Sequence, residues 1–261
     1  MRELALIQCE FSSEVLSKSM AMNVILPQKS FNQGVRKDKY PTLFLLHGFS
    51  DNHTIWARNT SIERHVSDLD LAVVMPAADN SFYTNMRDGG DYWTFLTEEL
   101  PFVARSLFPL SDKREDTFVA GNSMGGYGAL KWGLNKPDQI AAVATLSGVT
   151  DMVYHLENIR NEAGDKNSSL SLVFGDEDIR NTASDMLWKL NQIGNTDTER
   201  PMLYQACGTE DFLYEHNQRF FKVCKDTSFD LTTDFGPGDH DWKYWDKQIQ
   251  HVLQWLPIRK D

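Results

Sequence analysis

Thr117-Phe118-Val119-Ala120-Gly121-Asn122-Ser123-Met124-Gly125-Gly126-Tyr127-Gly128-Ala129 is the stretch on which the fold turns. A short apolar run enters it, a G-x-S-x-G pattern sits in the middle, and a helical pattern over 124–134 leaves it. A serine at such a strand-to-helix turn is held in a strained backbone conformation with its hydroxyl lifted out of the sheet. Gly121 and Gly125 remove side chains where strand and helix close on each other. The bland alternative is a glycine-rich β-α turn whose serine caps a helix.

Working outward, the same alternation recurs. Apolar runs at 20–26, 42–46, 71–75, 118–120, 141–146, 202–207 and 229–235 are short, and most end at glycine or proline. Such runs suit strands buried on both faces of a mostly parallel sheet. Helical patterns fall at 95–107, 124–134, 183–193, 215–224 and 242–256, the second stopped before Pro137. Strands alternating with helices predict an α/β layered fold. A polar loop with Gly34 follows the first run. Residues 150–180 break the rhythm and contain the most polar stretch, 158–169, which predicts a cap-like insertion at 150–180 in a single domain spanning 1–261.

Composition narrows the class. The chain has 261 residues, with 26 Lys and Arg against 37 Asp and Glu, a net charge of −11. That balance argues against a basic surface gripping nucleic acid or anionic lipid. No apolar stretch approaches the ~20 residues of a membrane helix. The only early apolar run, 4–7, is too short for a secretory signal. Cys9, Cys207 and Cys224 are odd in number and lack C-x-x-C spacing, which fits reduced thiols and a cytoplasmic setting. His47 and His53 invite a metal reading, but no third ligand has recognisable spacing.

A serine hydroxyl needs a base, and the base an orienting acid. His240 follows the last strand-like run in the loop Gly236-Pro237-Gly238-Asp239-His240. Asp211 follows the 202–207 run, in Gly208-Thr209-Glu210-Asp211. Ser123, Asp211 and His240 then stand in the chain order of α/β-hydrolases, each at the C-terminal end of a predicted strand. Competitors for the acid are Glu210, Asp176 and Asp178; Asp239 and Asp241 flank His240 too closely to orient it. The expected oxyanion donors are the amides of Met124, opening the helix, and Phe49, in the loop His47-Gly48-Phe49. Gly48 lets that loop pass close to the serine. Aromatics near these loops, Trp93 and Trp242 among them, are candidates for a substrate-binding wall, with core packing as the alternative.

With these residues in place the chain resembles the esterase D group of α/β-hydrolases, and most of all its tributyrin esterase branch. The resemblance spans about residues 20–255. It is carried by Leu45-Leu46-His47-Gly48-Phe49, Thr97-Glu98-Glu99-Leu100-Pro101, Gly121 to Ala129 and Gly238-Asp239-His240-Asp241-Trp242. It implies a serine carboxylesterase acting on a small-molecule ester with a short acyl group, without a cofactor or metal, and an assembly into homo-oligomers. It assigns the nucleophile to Ser123, the acid to Asp211, the base to His240 and the oxyanion amides to Phe49 and Met124. The alternatives are an S-formylglutathione hydrolase, a carbohydrate acyl esterase, an acyltransferase, a peptidase or a non-catalytic binding protein of the same fold. The S-formylglutathione hydrolases of the group carry a cysteine-containing loop soon after the His-Gly pair; 49–56 has no cysteine. If His240 is the base, turnover falls as acid protonates its imidazole. A pH–rate profile that stays flat well below about pH 5 contradicts that role.

Overall fold

The computed structural model describes residues 3–28, 39–163 and 169–258. The loop around Gly34 and part of the polar stretch 158–169 lie outside the described residues. In chain order the elements are β1 (Glu3–Ser13), β2 (Lys18–Gln28), β3 (Thr42–Leu46), α1 (Ile55–Asn59), α2 (Ile62–Val66), β4 (Ala72–Pro76), α3 (Tyr92–Thr94), α4 (Leu100–Leu107), β5 (Thr117–Asn122), α5 (Met124–Asn135) and β6 (Ala142–Leu146). There follow α6 (Met152–Ala163), α7 (Ser169–Phe174), α8 (Met186–Gly194), β7 (Met202–Gly208), α9 (Tyr214–Lys225), β8 (Leu231–Gly236) and α10 (Trp242–Trp255).

The strands form one sheet in the order β1-β2-β4-β3-β5-β6-β7-β8. β1 pairs antiparallel with β2, and β2 with β4; every pair from β4 to β8 is parallel. This is the α/β-hydrolase fold, a mostly parallel sheet flanked by helices. The strands β3, β4, β5 and β6 are buried along their whole length, because helices cover both faces. On one face Phe44, Val74, Val119 and Val143 pack with Tyr127, Trp132 and Leu130 of α5 and with Leu190 and Phe220 of α8 and α9. On the other Leu43, Val73, Phe118 and Ala144 pack with Trp56, Ile62 and Val66 of α1 and α2 and with Trp245, Ile249 and Val252 of α10. Covering both faces is why these runs are continuously apolar. Among the described residues no helix is long and apolar enough to cross a membrane.

Three details go beyond the apolar and helical patterns. The N-terminal β1, with Glu10 exposed and Leu4, Ile7, Cys9 and Phe11 resting partly buried on the core, is a long edge strand that an apolar-run reading passes over. The helix expected at 95–107 is present as part of a continuous helical run from Tyr92 to Leu107, with a π-helical turn at residues 95–99 between α3 and α4. Pro101 offers no N–H to continue the ladder. The helix expected from 183 starts at Met186, since the Asp185 side chain accepts the Trp188 amide at 3.1 Å and caps it.

Lys131 of α5 is fully buried beside this core. Its Nζ donates to Thr84 Oγ1 at 2.6 Å and stands 5.1 Å from the Trp93 ring centroid and 5.8 Å from that of Tyr127. Among the described residues it has no carboxylate partner. Burial pushes its ammonium down to about 7 from the ordinary 10.5. The unfolded chain therefore holds this proton across a pH range in which the folded chain has released it. This group's contribution to stability rises with pH from about 7 toward 10.5, and its full penalty is present below that window. Lys131→Met is expected to raise Tm at pH 6 and to lose much of that gain by pH 9, measured by calorimetry at both. Thr84 keeps its own bond to the Phe82 carbonyl (3.0 Å). A gain that did not shrink as pH rose would show that the cation is not what destabilises this position.

Candidate active site

Between β5 and α5 the chain reverses at Ser123, whose φ is 51° and ψ −117°. A non-glycine residue in that region costs roughly 1–3 kcal/mol, and the surroundings hold it there. The Ser123 amide donates to the Leu146 carbonyl at 3.0 Å, and its own carbonyl accepts from Tyr127 (3.1 Å) and Val149 (3.3 Å). Only glycine fits on either side. A Cβ on Gly121 would stand 2.4 Å from the Gly125 carbonyl, and one on Gly125 would stand 2.4 Å from the Leu46 oxygen.

His240 Nε2 lies 3.0 Å from Ser123 Oγ. Its Nδ1 lies 3.0 and 2.9 Å from the two Asp211 carboxylate oxygens. A carboxylate can only accept, so Nδ1 carries the proton and Nε2 offers its lone pair to the serine hydroxyl. The Asp211 side chain is fully buried and that of His240 is 17% exposed. Burial works to raise the Asp211 carboxyl. The hydrogen bonds from His240 and from the Leu213 amide (2.8 Å) outweigh it and hold the carboxyl below its ordinary range, so it stays ionised. The imidazole is held between two rings, Phe212 at 4.5 Å and Trp245, edge-on, at 4.9 Å.

The two loops that present Asp211 and His240 are joined. Thr209 donates to the Gly236 carbonyl (2.9 Å) and Glu210 to that of Gly238 (3.1 Å). Glu210 Oε2 in turn accepts the Gly238 amide at 2.6 Å, so this carboxylate ties the histidine loop and is not aimed at the ring. Asp239 accepts the His240 amide at 2.8 Å, and Asp241 caps α10 by accepting from Tyr244 at 2.8 Å. Asp178 is exposed and paired with Arg180 at 3.0 Å; Asp176 is also exposed. Asp211 is the carboxylate that meets His240.

Opposite the serine runs the loop after β3. A Cβ on Gly48 would stand 3.1 Å from Asn122 Nδ2 and 3.6 Å from Ser123 Cβ, which brings the Gly48–Phe49 backbone against the nucleophile. Among the described residues neither the Phe49 nor the Met124 amide N–H has a hydrogen-bond partner. Two free N–H groups beside the serine can take an oxyanion. His47 supports this loop from beneath: its Nδ1–H donates to the Gly48 carbonyl (2.8 Å) and its Nε2 accepts the Ala78 amide (3.0 Å). Burial lowers this imidazole to about 4, keeping it neutral. Both nitrogens are thus occupied by backbone groups. Tyr83, also buried, donates to the His47 carbonyl at 2.9 Å.

A cavity of about 290 Å³ opens on Ser123. Phe49, Phe82 and Phe212 line it, with Val149 and Leu213 and with His155, Ile159, Ser169 and Leu170 of α6 and α7. Trp93 and Trp242 do not. Trp93 packs over Lys131, and Trp242 meets Trp56 and Trp245 edge-on at 5.1 and 4.9 Å, in the layer beneath His240. Both belong to the packing reading of these aromatics. The wall residues of α6 and α7 went unremarked in the sequence, where the irregular rhythm of 150–180 was the one available signal. Among the described residues no group of three or more His, Cys, Asp or Glu side chains could hold a metal ion.

Comparison with known proteins agrees with this geometry. The family model described as "Putative esterase" matches residues 13–256. An acetyl esterase of Caldicellulosiruptor saccharolyticus is 30% identical, over 97% of this chain and 98% of its own. Among solved structures, fluorophosphonate-binding serine hydrolase F of Staphylococcus aureus superposes with a TM-score of 0.88 at 33% identity, covering 98% of this chain and 99% of the other. An S-formylglutathione hydrolase of Staphylococcus aureus gives 0.85 at 34% identity, covering 97% and 99%. With a bonded Ser123–His240–Asp211 array on this fold and a family match over nearly its whole length, the chain belongs to the esterase family of α/β-hydrolases.

Proposed function

We propose that the protein is a short-chain carboxylesterase of the esterase D group, on its tributyrin esterase branch, working through an acyl-enzyme. The observation that carries the reading is His240, hydrogen-bonded at once to the Ser123 hydroxyl and the Asp211 carboxylate beside a small, largely apolar cavity. At about 290 Å³ that cavity is at the small end of ligand pockets, which favours short acyl groups.

Ser123 attacks the ester carbonyl while His240 takes its proton at Nε2. Asp211 keeps the ring in the tautomer that can do so and stabilises the imidazolium. The Phe49 and Met124 amides hold the developing oxyanion, each worth about 3 kcal/mol in the transition state. His240 then protonates the departing alcohol, and afterwards draws a proton from the water that releases the acid. The chain's own residues supply every proton transfer in this sequence.

A second reading has a specific observation behind it. The 34% identical structural relative is an S-formylglutathione hydrolase, and a thioester would pass through the same steps. A carbohydrate acyl ester would as well, and one relative is named an acetyl esterase. The absence of cysteine from 49–56 favours the oxygen ester. The test is hydrolysis of p-nitrophenyl esters from acetate to octanoate beside S-formylglutathione. The expected result is a maximum at two to four carbons, abolished in Ser123→Ala. A clear preference for the thioester selects the second reading. Asp211→Asn is expected to slow turnover by roughly 10³- to 10⁴-fold while the folded structure persists. Failure of Ser123 to react with a fluorophosphonate would instead point to a hydrolase-fold binding protein.

A further inference from the structure

The acyl cavity has two polar side chains that the mechanism does not use, Ser169 of α7 and His155 of α6. Its walls are apolar at Phe49, Phe82, Val149, Ile159, Leu170 and Phe212, yet His155 of α6 also faces it. Among the described residues neither ring nitrogen of His155 has a hydrogen-bond partner in the protein, and the half-buried ring keeps both open to water. The ring is nevertheless held in place. It packs edge-on against His216 at 5.4 Å, and its backbone amide donates to the Asp151 carbonyl at 3.1 Å. The Asp151 carboxylate, itself buried, accepts from the Tyr154 amide (3.0 Å) and from Arg219 (2.6 Å). The α6 terminus that carries His155 is thereby pinned to α9.

Burial, with His216 adjacent, lowers the His155 imidazole to about 4, so at neutral pH it presents one N–H donor and one bare lone pair. A hydroxyl can satisfy either nitrogen, since it both donates and accepts. A plain alkyl chain filling the cavity would displace water from the ring and return nothing. A site whose polar group must be paired discriminates strongly against the analogue that cannot pair it. A carboxylate fits poorly, because a neutral ring and apolar walls leave the charge uncompensated.

We propose that His155 makes the acyl cavity selective for acyl groups bearing an uncharged hydroxyl, which hydrogen-bonds the imidazole while Ser123 attacks the carbonyl. This rests on the esterase reading above and names its substrate class.

The experiment compares p-nitrophenyl 3-hydroxybutyrate with butyrate, and 6-hydroxyhexanoate with hexanoate. The parent is run beside His155→Phe, His155→Leu and His155→Asn. The readout is the ratio of kcat/KM for hydroxylated over plain ester within each protein, so a general loss of activity cancels. The parent ratio is expected to exceed that of the Phe and Leu variants by about tenfold at one or both chain lengths, with Asn retaining part of the preference. The Phe variant preserves a ring against His216 and the Leu variant does not, so either one that folds is sufficient. Ratios that agree within about twofold across parent and variants at both lengths overturn the proposal. A parent inactive on all four esters is a different result: it overturns the short-chain esterase reading, and this proposal with it.

Discussion

The whole arrangement hangs on two backbones being allowed to touch. β5 and α5 meet through Gly121 and Gly125, and Gly125 lies against the carbonyl of Leu46 at the end of β3. Methyl groups at these points would push the helix off the sheet. The contact fixes the strained serine, the start of the helix at Met124, and the distance to the Gly48–Phe49 loop. Burial on both faces of the central strands provides the rigidity to hold Ser123 in a conformation it would not adopt alone.

The second half of the site is organised differently. Asp211 and His240 follow neighbouring parallel strands whose loops exchange hydrogen bonds, with the Glu210 carboxylate closing the set. Asp211 is kept ionised in a buried place by donors that outweigh its desolvation. Phe212 and Trp245 confine the ring between them. A local turn thus places Ser123, and the pairing of two sheet strands places Asp211 and His240.

Much of this was legible in the residues because it is local. Apolar runs ending at glycine marked the buried strands, and the G-x-S-x-G turn announces itself within five positions. Asp211 and His240 were readable from their places after strand-like runs. What escaped has a physical reason in each case. β1 is an edge strand whose solvent-facing residues dilute its pattern. The π-helical turn before α4 arises from backbone hydrogen bonding around Pro101. The cavity wall is a tertiary fact: His155, Ile159 and Leu170 lie on helices whose own sequence resembles any amphipathic surface segment. Trp93 and Trp242 misled for the converse reason, since a large aromatic near a functional loop serves equally well as the layer beneath it.

The order of strands has one further consequence. The strand β5, which leads to Ser123, lies in the interior of the sheet, whereas β8, which carries the loop to His240, is an edge strand, with every residue at least partly exposed. Edge segments open more readily than buried ones. Fraying at that border would withdraw His240 while the serine turn stayed intact. Loss of the Ser123–His240 contact on heating would then be a peripheral event, preceding collapse of the core.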